Sequence, residues 1–399
     1  MTLDEESHLR GYLATATLAR SASESAGPAL LLVTIAVVGS AATGSYVVAC
    51  MTVSAAVAGP FVGAILDRAG SARRAFTATM VLMAGGLAAI ALAIGNVPIG
   101  VVMALAAVAG IGYPAVTGAW SAQLPRLVPA RALRRAYASD AATYSVAAVV
   151  APPVAAALIA LSVHAPLWLP VLLLLVSSVA LRWVPVSGPP SAGSMSMSAD
   201  LRAGTAVLAR NRTLRRTVII TTVGFAGQAA IFVSAPLLAE SMTGSLEFTG
   251  LVLGAFAAGG VLAALWLTRH PVARPDRAVI AGTVASAACL ALVGLAGTPW
   301  LLLVAAFAMG ASEPPIVSSM FQVRVRESPV HVQSQVFTTS ASLRMCAFAA
   351  ALAVCGALVS VGIWAIIAFG VALHLLSLVL GLALGPDLPH RSTWVHREG

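Results

Sequence analysis

Five charged side chains stand inside long apolar stretches of this sequence: Arg20, Glu24, Asp140, Glu313 and Arg344. A charge at the centre of a bilayer costs at least ~2.5–3.5 kcal/mol, so a residue kept there is a candidate for function. Two chemistries suit these five. A carboxylate deprived of water holds its proton more readily and a neighbouring guanidinium loosens it, so Glu24 or Glu313 could take up and release a proton as a solute or a gate moves. Alternatively the charges form static pairs that hold helices in register. Arg20 would then pair with Glu24, one helical turn away, or with Asp140, and Glu313 would pair with Arg344. Asp140 lies about two helical turns into its apolar run. Counting from the run ends puts Glu24, Glu313 and Arg344 at similar depth, near the midplane where carrier sites are built. Tyr113, Thr117 and Trp120 are spaced to share one helical face, and Gln228 is a lone amide in an apolar run. These four are candidates to line a cavity, although helical-face spacing also describes a face packed on a neighbour.

Twelve apolar runs would position these groups. They lie near Tyr12–Val38, Ser45–Leu66, Ala75–Gly95, Pro98–Leu124, Leu133–Leu161, Ala165–Val184, Leu214–Ala239, Phe248–Leu267, Ala278–Gly297, Pro299–Val323, Val330–Val361 and Ile363–Leu384. Each supplies the ~20 residues that cross a bilayer core as a helix. The first is the least apolar: it holds Arg20, Ser21, Ser23, Glu24 and Ser25, and only Ala29–Val38 is free of polar interruption apart from Thr34.

Composition points the same way. Of 399 residues, 59% are hydrophobic and 9% charged, whereas a soluble domain carries about 25% charged residues. The net charge of +9 comes from 23 basic residues, all of them arginine. Without lysine there is no phosphate-binding G-x-x-x-x-G-K-[ST] loop and no Schiff base, which argues against an ATP-driven pump within this chain. The arginines lie between apolar runs with no aromatic interleaving, so nucleic acid is not an expected partner. Cys50, Cys289, Cys346 and Cys355 show no C-x-x-C spacing, and the seven histidines show no ligand spacing. No cofactor, metal or enzymatic centre is therefore expected. Asp4, Glu5 and Glu6 argue against a cleaved signal peptide, which begins with positive charge.

The arginines alternate. Connections after runs 2, 4, 6, 8 and 10 carry arginine: Arg68, Arg73 and Arg74; Arg126, Arg131, Arg134 and Arg135; six between Arg182 and Arg216; Arg269, Arg274 and Arg277; Arg324 and Arg326. The intervening connections carry none. By the positive-inside rule the even connections and both termini are expected in the cytoplasm, in a multi-pass protein of the cell (inner) membrane. The most polar interval, 185–211, has the Gly/Ser/Pro composition of a flexible linker. It divides the chain into an expected six-helix bundle at 1–184, a second at 212–385, and a cytoplasmic tail at 386–399. Two similar halves of six are the pattern of a duplicated carrier.

The connection after run 2 reads Gly63-Ala-Ile-Leu-Asp67-Arg68-Ala-Gly70-Ser-Ala-Arg73-Arg74. Gly63 permits close helix approach and Gly70 a tight turn. Asp67, at a helix C-terminus, is unfavourable unless a cation or a helix N-terminus faces it, so the loop could work as a cytoplasmic latch. It resembles the signature loop of the major facilitator superfamily, G-x-L-x-D-R-x-G-R-[RK], with departures at Ser71 and Ala72. The connection Thr268–Arg277 resembles the degenerate second copy of that loop. Ala151-Pro152-Pro153-Val-Ala-Ala resembles the G-P-x-x-G-G antiporter motif of the drug-efflux branch, with alanines for glycines and prolines able to bend the helix. In many relatives an arginine four residues before a G-x-G serves proton coupling; here Gly110 and Gly112 are present but Ala106 fills that place. The stretches Gly118–Pro129, Arg135–Tyr144 and Gln335–Arg344 resemble uncharacterised actinobacterial members.

The resemblance implies an all-α integral membrane fold of twelve helices in two pseudo-symmetric bundles, working by alternating access. Its implied partners are a small-molecule substrate, protons as coupling ion and the lipid bilayer, with the protein a monomer. The branch implies efflux of small amphipathic molecules; import of a sugar or another metabolite is the alternative on the same fold.

Overall fold

The structure, a computed structural model, describes residues 3–68, 71–116, 120, 123–184, 206–270, 272–328 and 333–384. No strand occurs among them. A bilayer offers no water to the backbone, so apolar runs of this length close their hydrogen bonds internally as helices. They are α1 (Leu3–Val38), α2 (Ala41–Arg68), α3 (Ala72–Ala93), α4 (Ile99–Pro114), α5 (Ala130–Ala157), α6 (Ala165–Ala180), α7 (Arg212–Thr243), α8 (Phe248–Arg269), α9 (Pro275–Gly294), α10 (Pro299–Glu327), α11 (Gln333–Leu358) and α12 (Ile363–Ala383). Among the described residues ten helices are long and apolar enough to cross a membrane, and Ile99–Pro114 and Val146–Ala160 are shorter apolar helices.

Several boundaries differ from the sequence expectation. The first helix begins at Leu3, before its apolar run, so its polar first half is helix too. The fourth is a regular α-helix to Pro114 and continues as a wider helical turn through Ala115 and Val116; Trp120 is again helical, and a separate helical turn covers Leu124–Leu127. The seventh is interrupted at Gln228, between Arg212–Gly227 and Ala229–Thr243. Helix starts are fixed by side chains that supply the missing acceptors: Ser71 Oγ takes the Arg74 N–H, Asn211 Oδ1 the Leu214 N–H and Thr298 Oγ1 the Leu301 N–H.

The packing repeats with a shift of six helices. The α1 helix packs on α5 and α6 as α7 packs on α11 and α12; α2 packs on α4 as α8 on α10; α3 packs on α4 and α6 as α9 on α10 and α12. The two halves join through α2 with α11 and α5 with α8, a pair of contacts that exchange under the same shift. Small residues make the close crossings possible. A Cβ on Gly110 of α4 would overlap the Met51 carbonyl and Ser54 Oγ of α2, and one on Gly310 of α10 would overlap the Phe256 carbonyl of α8. The glycine that resembled part of a coupling motif is thus a packing glycine with a counterpart in the other half.

Contacts join even connections to one another within each half. Arg73 Nη2 donates to the Val184 carbonyl at the end of α6 (3.2 Å), Arg326 reaches Asp276 (3.3 Å), and Asn211 Nδ2 donates to Glu327 Oε2 (3.0 Å). The expected linker and tail fall largely on 185–205 and 385–399, outside the described residues. The 206–210 stretch is helical, with Val207 and Leu208 against Leu214, Val218 and Val336.

Candidate functional site

A cavity of about 720 Å³ lies between the halves. The first half contributes Glu24 and Pro28 from α1 and Tyr144, Ala148 and Pro152 from α5. The second half contributes Gln228, Ile231 and Phe232 from α7, Glu313 and its neighbours from α10, and Phe348 from α11. One face of α8 lines it from Leu253 through Phe256, Gly260 and Ala264 to Leu267, a length of about 21 Å at 1.5 Å per residue. Leu267 and Phe321 lie near the arginine-bearing ends of α8 and α10, so the cavity extends toward the arginine-rich face. Close glycine contacts between the halves lie nearer the opposite face. There Gly250 and Gly254 of α8 receive Pro153 and Ala156 of α5, and Gly356 of α11 meets Ala42, Ser45 and Tyr46 of α2.

The charges take up three different settings. Arg20 is fully buried and points at Asp140 of α5, which is 3% exposed. Its Nη1 and Nη2 donate to Asp140 Oδ1 and Oδ2 at 2.8 and 3.1 Å, and Nη1 also reaches the Asp140 carbonyl and the Thr143 hydroxyl. The Tyr12 hydroxyl donates to Oδ1 at 2.8 Å, and the guanidinium lies 3.6 Å from the Tyr144 ring centroid. Of the two partners the sequence left open for Arg20, the structure gives Asp140.

Glu24 lines the cavity and makes no ion pair or hydrogen bond with another described side chain. Glu313 also faces the cavity, with hydrogen bonds from Gln228 and, at 3.5 Å, from Ser286 Oγ. Gln228 stands at the interruption of α7, between Gly227 and Ala229.

Arg344 does not form the expected ion pair with Glu313. Although the two charges interact, the Arg344 Cζ sits 4.2 Å from the Phe225 ring centroid and Nη1 approaches Met320 Sδ at 3.5 Å. Phe225 packs on Phe348 and Phe348 on Phe232, with ring centroids 5.1 and 6.3 Å apart. Phe232 and Phe348 line the cavity, whereas Arg344 is not among its described lining residues.

Of the four cavity candidates, only Gln228 is among the described lining residues. Trp120 is fully buried between Tyr12 and Phe76, at centroid distances of 5.6 and 5.3 Å. Tyr113 is not among the described lining residues; it is hydrogen-bonded to Ser23 and lies close enough to Glu24 to interact with that carboxylate. Thr117 is outside the described residues. Of the latch residues, Gly63, Asp67 and Arg68 belong to the last turns of α2, Gly70 is outside the described residues, and Arg73 and Arg74 are exposed. Both prolines of α5 have assigned places: Pro152 lines the cavity, and Pro153 fills the notch left by Gly250 and Gly254. Those two glycines and the phenylalanines of the wall escaped the sequence reading, because an apolar residue in an apolar run carries no signal of which way it faces.

The family model described as Major Facilitator Superfamily matches residues 13–339. No curated protein matches the chain in sequence. Among solved structures, a mutant of the nucleoside transporter NupG is similar with a TM-score of 0.80 at 12% identity, covering 95% of this chain and 100% of that one. A POT family transporter in complex with 5-aminolevulinic acid is similar at 0.70 and 12% identity, covering 94% and 95%. The peptide transporter POT with alafosfalin is similar at 0.71 and 15% identity, covering 94% and 93%. At these identities the likeness is one of fold.

Proposed function

The chain belongs to the Major Facilitator Superfamily, and on that premise we propose that it exports small amphipathic molecules from the cell in exchange for protons, by alternating access. The observation that carries this reading is the placement of Glu24 and Glu313, one from each half, on a single cavity whose other lining is mostly apolar. A carboxylate in such a place is costly to keep charged and gains from either a proton or a cationic group. Rocking one half against the other would carry both carboxylates from one aqueous side to the other.

The direction of the cavity supports export. It extends toward the arginine-rich face, which the positive-inside rule assigns to the cytoplasm, with both termini on that side. In this conformation the site is then open to the compartment from which an exporter collects its load. Uptake of a nucleoside or a peptide, as handled by the fold neighbours, would bring many hydrogen-bonding groups into the cavity. Its polar lining among the described residues is Glu24, Tyr144, Gln228, Glu313 and Ser318, which is little to receive them.

The test is transport by the full-length protein in proteoliposomes with an imposed pH gradient and a fluorescent lipophilic dye. Dye should move against the proton gradient. Glu24→Gln and Glu313→Gln should each lose the gradient-driven component while dye exchange without a gradient persists. If both variants keep full proton coupling, these carboxylates are not its carriers; if the unaltered protein moves no dye from a broad panel, the export reading fails.

A further inference from the structure

Resting on the reading of Glu313 as a proton carrier, we propose that Ser286 and Ser312 are positioning residues for its proton: a relay of two hydroxyls between α9 and α10 that is complete only while the carboxyl is protonated.

The relay has three links. Ser312 Oγ stands 2.6 Å from the Met309 carbonyl, one turn back on α10. Ser286 Oγ of α9 stands 2.6 Å from Ser312 Oγ and 3.5 Å from Glu313 Oε1. A carbonyl oxygen only accepts, and each hydroxyl brings one hydrogen. Three links along these four oxygens need three hydrogens, and the serines supply two. Ser286 and Met309 are fully buried and Ser312 is 8% exposed, so solvent is not at hand to bring the third. A protonated Glu313 does bring it. Every hydrogen then runs one way, from Glu313 to Ser286, from Ser286 to Ser312 and from Ser312 to the Met309 carbonyl. An ionised Glu313 leaves one link empty. Either Ser286 keeps its hydrogen on Ser312 and turns a lone pair toward the carboxylate, or it gives that hydrogen to the carboxylate. In the second case one of the two short links loses its hydrogen and sets two oxygens against each other. A buried polar group left in that way is costly.

The other groups around Glu313 divide. The Gln228 amide of α7 bonds the carboxyl; it carries both N–H and C=O, so it serves either state. The α8 helix turns the apolar face from Leu253 to Leu267 to the cavity. Arg344 of α11 acts on Glu313 through its charge from its place over the Phe225 ring, and a cation favours the ionised form. Arg324 of α10 acts on Arg344. Glu24 of α1 lies on the same cavity, and a second carboxylate favours the protonated form. The serines therefore stand against Arg344. They also bring in α9, a helix with no described residue on the cavity: when the proton leaves, a link between α9 and α10 is broken inside the second half.

The test is infrared difference spectroscopy of the purified full-length protein in lipid nanodiscs, titrated over pH. The protonated-carboxyl C=O band that is missing in Glu313→Gln belongs to Glu313. Ser286→Ala removes the acceptor of the carboxyl hydrogen, and Ser312→Ala frees the Ser286 hydrogen for the carboxylate. Each should lower the pH at which half of the band is lost by about one unit. Ser286→Thr, which keeps the hydroxyl, should return it toward the unaltered value. If Ser286 does no more than donate to an ionised Glu313, Ser286→Ala raises that midpoint and Ser312→Ala leaves it in place. A midpoint raised or unchanged in either alanine variant, or no protonated Glu313 band at any pH, overturns the proposal. Elution profile and melting temperature identify a variant that fails to fold, and the other alanine variant then decides. Midpoints lowered by both changes in a protein that moves no dye with the proton gradient would sink the export reading and leave the relay standing. Gradient-driven export with a midpoint indifferent to both serines would do the reverse.

Discussion

The two halves place an arginine over an aromatic ring between corresponding helices, yet they use it differently. In the first half, Arg20 of α1 lies over Tyr144 of α5. In the second, Arg344 of α11, the counterpart of α5, lies over Phe225 of α7, the counterpart of α1. The first guanidinium also finds Asp140, which in turn takes the Tyr12 hydroxyl, so a closed ion pair ties α1 to α5. Among the described residues the second finds a ring and a thioether at close range, while Glu313 looks into the cavity. Duplication has therefore kept the scaffold and varied the buried arginine: the first half closes Arg20 on Asp140, the second leaves Arg344 on a ring, and each half still places one carboxylate, Glu24 or Glu313, on the cavity.

The sharpest way to break this comparison is to remove one partner from each half. Asp140→Asn leaves Arg20 buried beside a neutral amide, and stripping one member of a buried pair costs about 3–5 kcal/mol. The expected outcome is a large fall in folded yield and melting temperature, followed with a thiol-reactive dye on the free cysteines, Cys355 among them. The paired change Arg20→Met with Asp140→Leu should recover part of the loss. Arg344→Met removes a cation–ring contact worth about 0.5–2 kcal/mol together with the cost of burying the charge, so its net effect should be much smaller. If Arg344→Met is the more damaging, the closed pair of the first half is not the stronger tie.

A smaller effect tests what the halves share. Gly110→Ala pushes α4 from α2, and Gly310→Ala pushes α10 from α8, in both cases against a backbone carbonyl that has no rotamer to yield. Overpacking of this kind costs about 1–3 kcal/mol. The two losses should agree within experimental scatter when measured by the same thermal assay. A cost confined to one of them would show that the repeated packing is a likeness of outline only.

How much of this was legible beforehand depends on the distance over which a signal acts. The twelve spans and the alternating arginines are local features, and a bilayer enforces both, so the sequence carries them openly. Pro152 and Pro153 were readable as a special point in α5 for the same reason. The partner of Arg20 was not fixed, because Glu24 is one turn away in sequence while Asp140 is 120 residues away and only tertiary packing decides between them. Trp120 was spaced like a cavity residue but is buried between Tyr12 and Phe76, since helical spacing reports a shared face and not what the face meets. The interruption at Gln228 was not read, because Gly227 directly before it has a packing reason of its own, its place against His374 and Gly370 of α12, and a glycine in an apolar run does not say which of the two it marks. The charge of the cavity was invisible for a similar reason: it depends on Phe225 and Phe348 standing in front of Arg344.

The smallest expected effect concerns the arginine-rich face, where the halves also differ. There the first half has Arg73 on the Val184 carbonyl, and the second has Arg326 on Asp276 with both side chains nearly half exposed. Exposed pairs are worth about 0.2–1 kcal/mol and are screened by salt. Asp276→Asn should therefore shift the melting temperature slightly at low ionic strength and not measurably in about 0.5 M salt, where the Debye length falls to a few ångströms. The pair joins the start of α9 to the end of α10, two helices of the same half. It does not bridge the halves, so rocking them need not break it. Asp276→Asn should accordingly leave the transport rate within about twofold of the unaltered protein. A larger change in rate with unchanged stability would mean that this loop, the degenerate copy of the one after α2, takes part in closing the arginine-rich face.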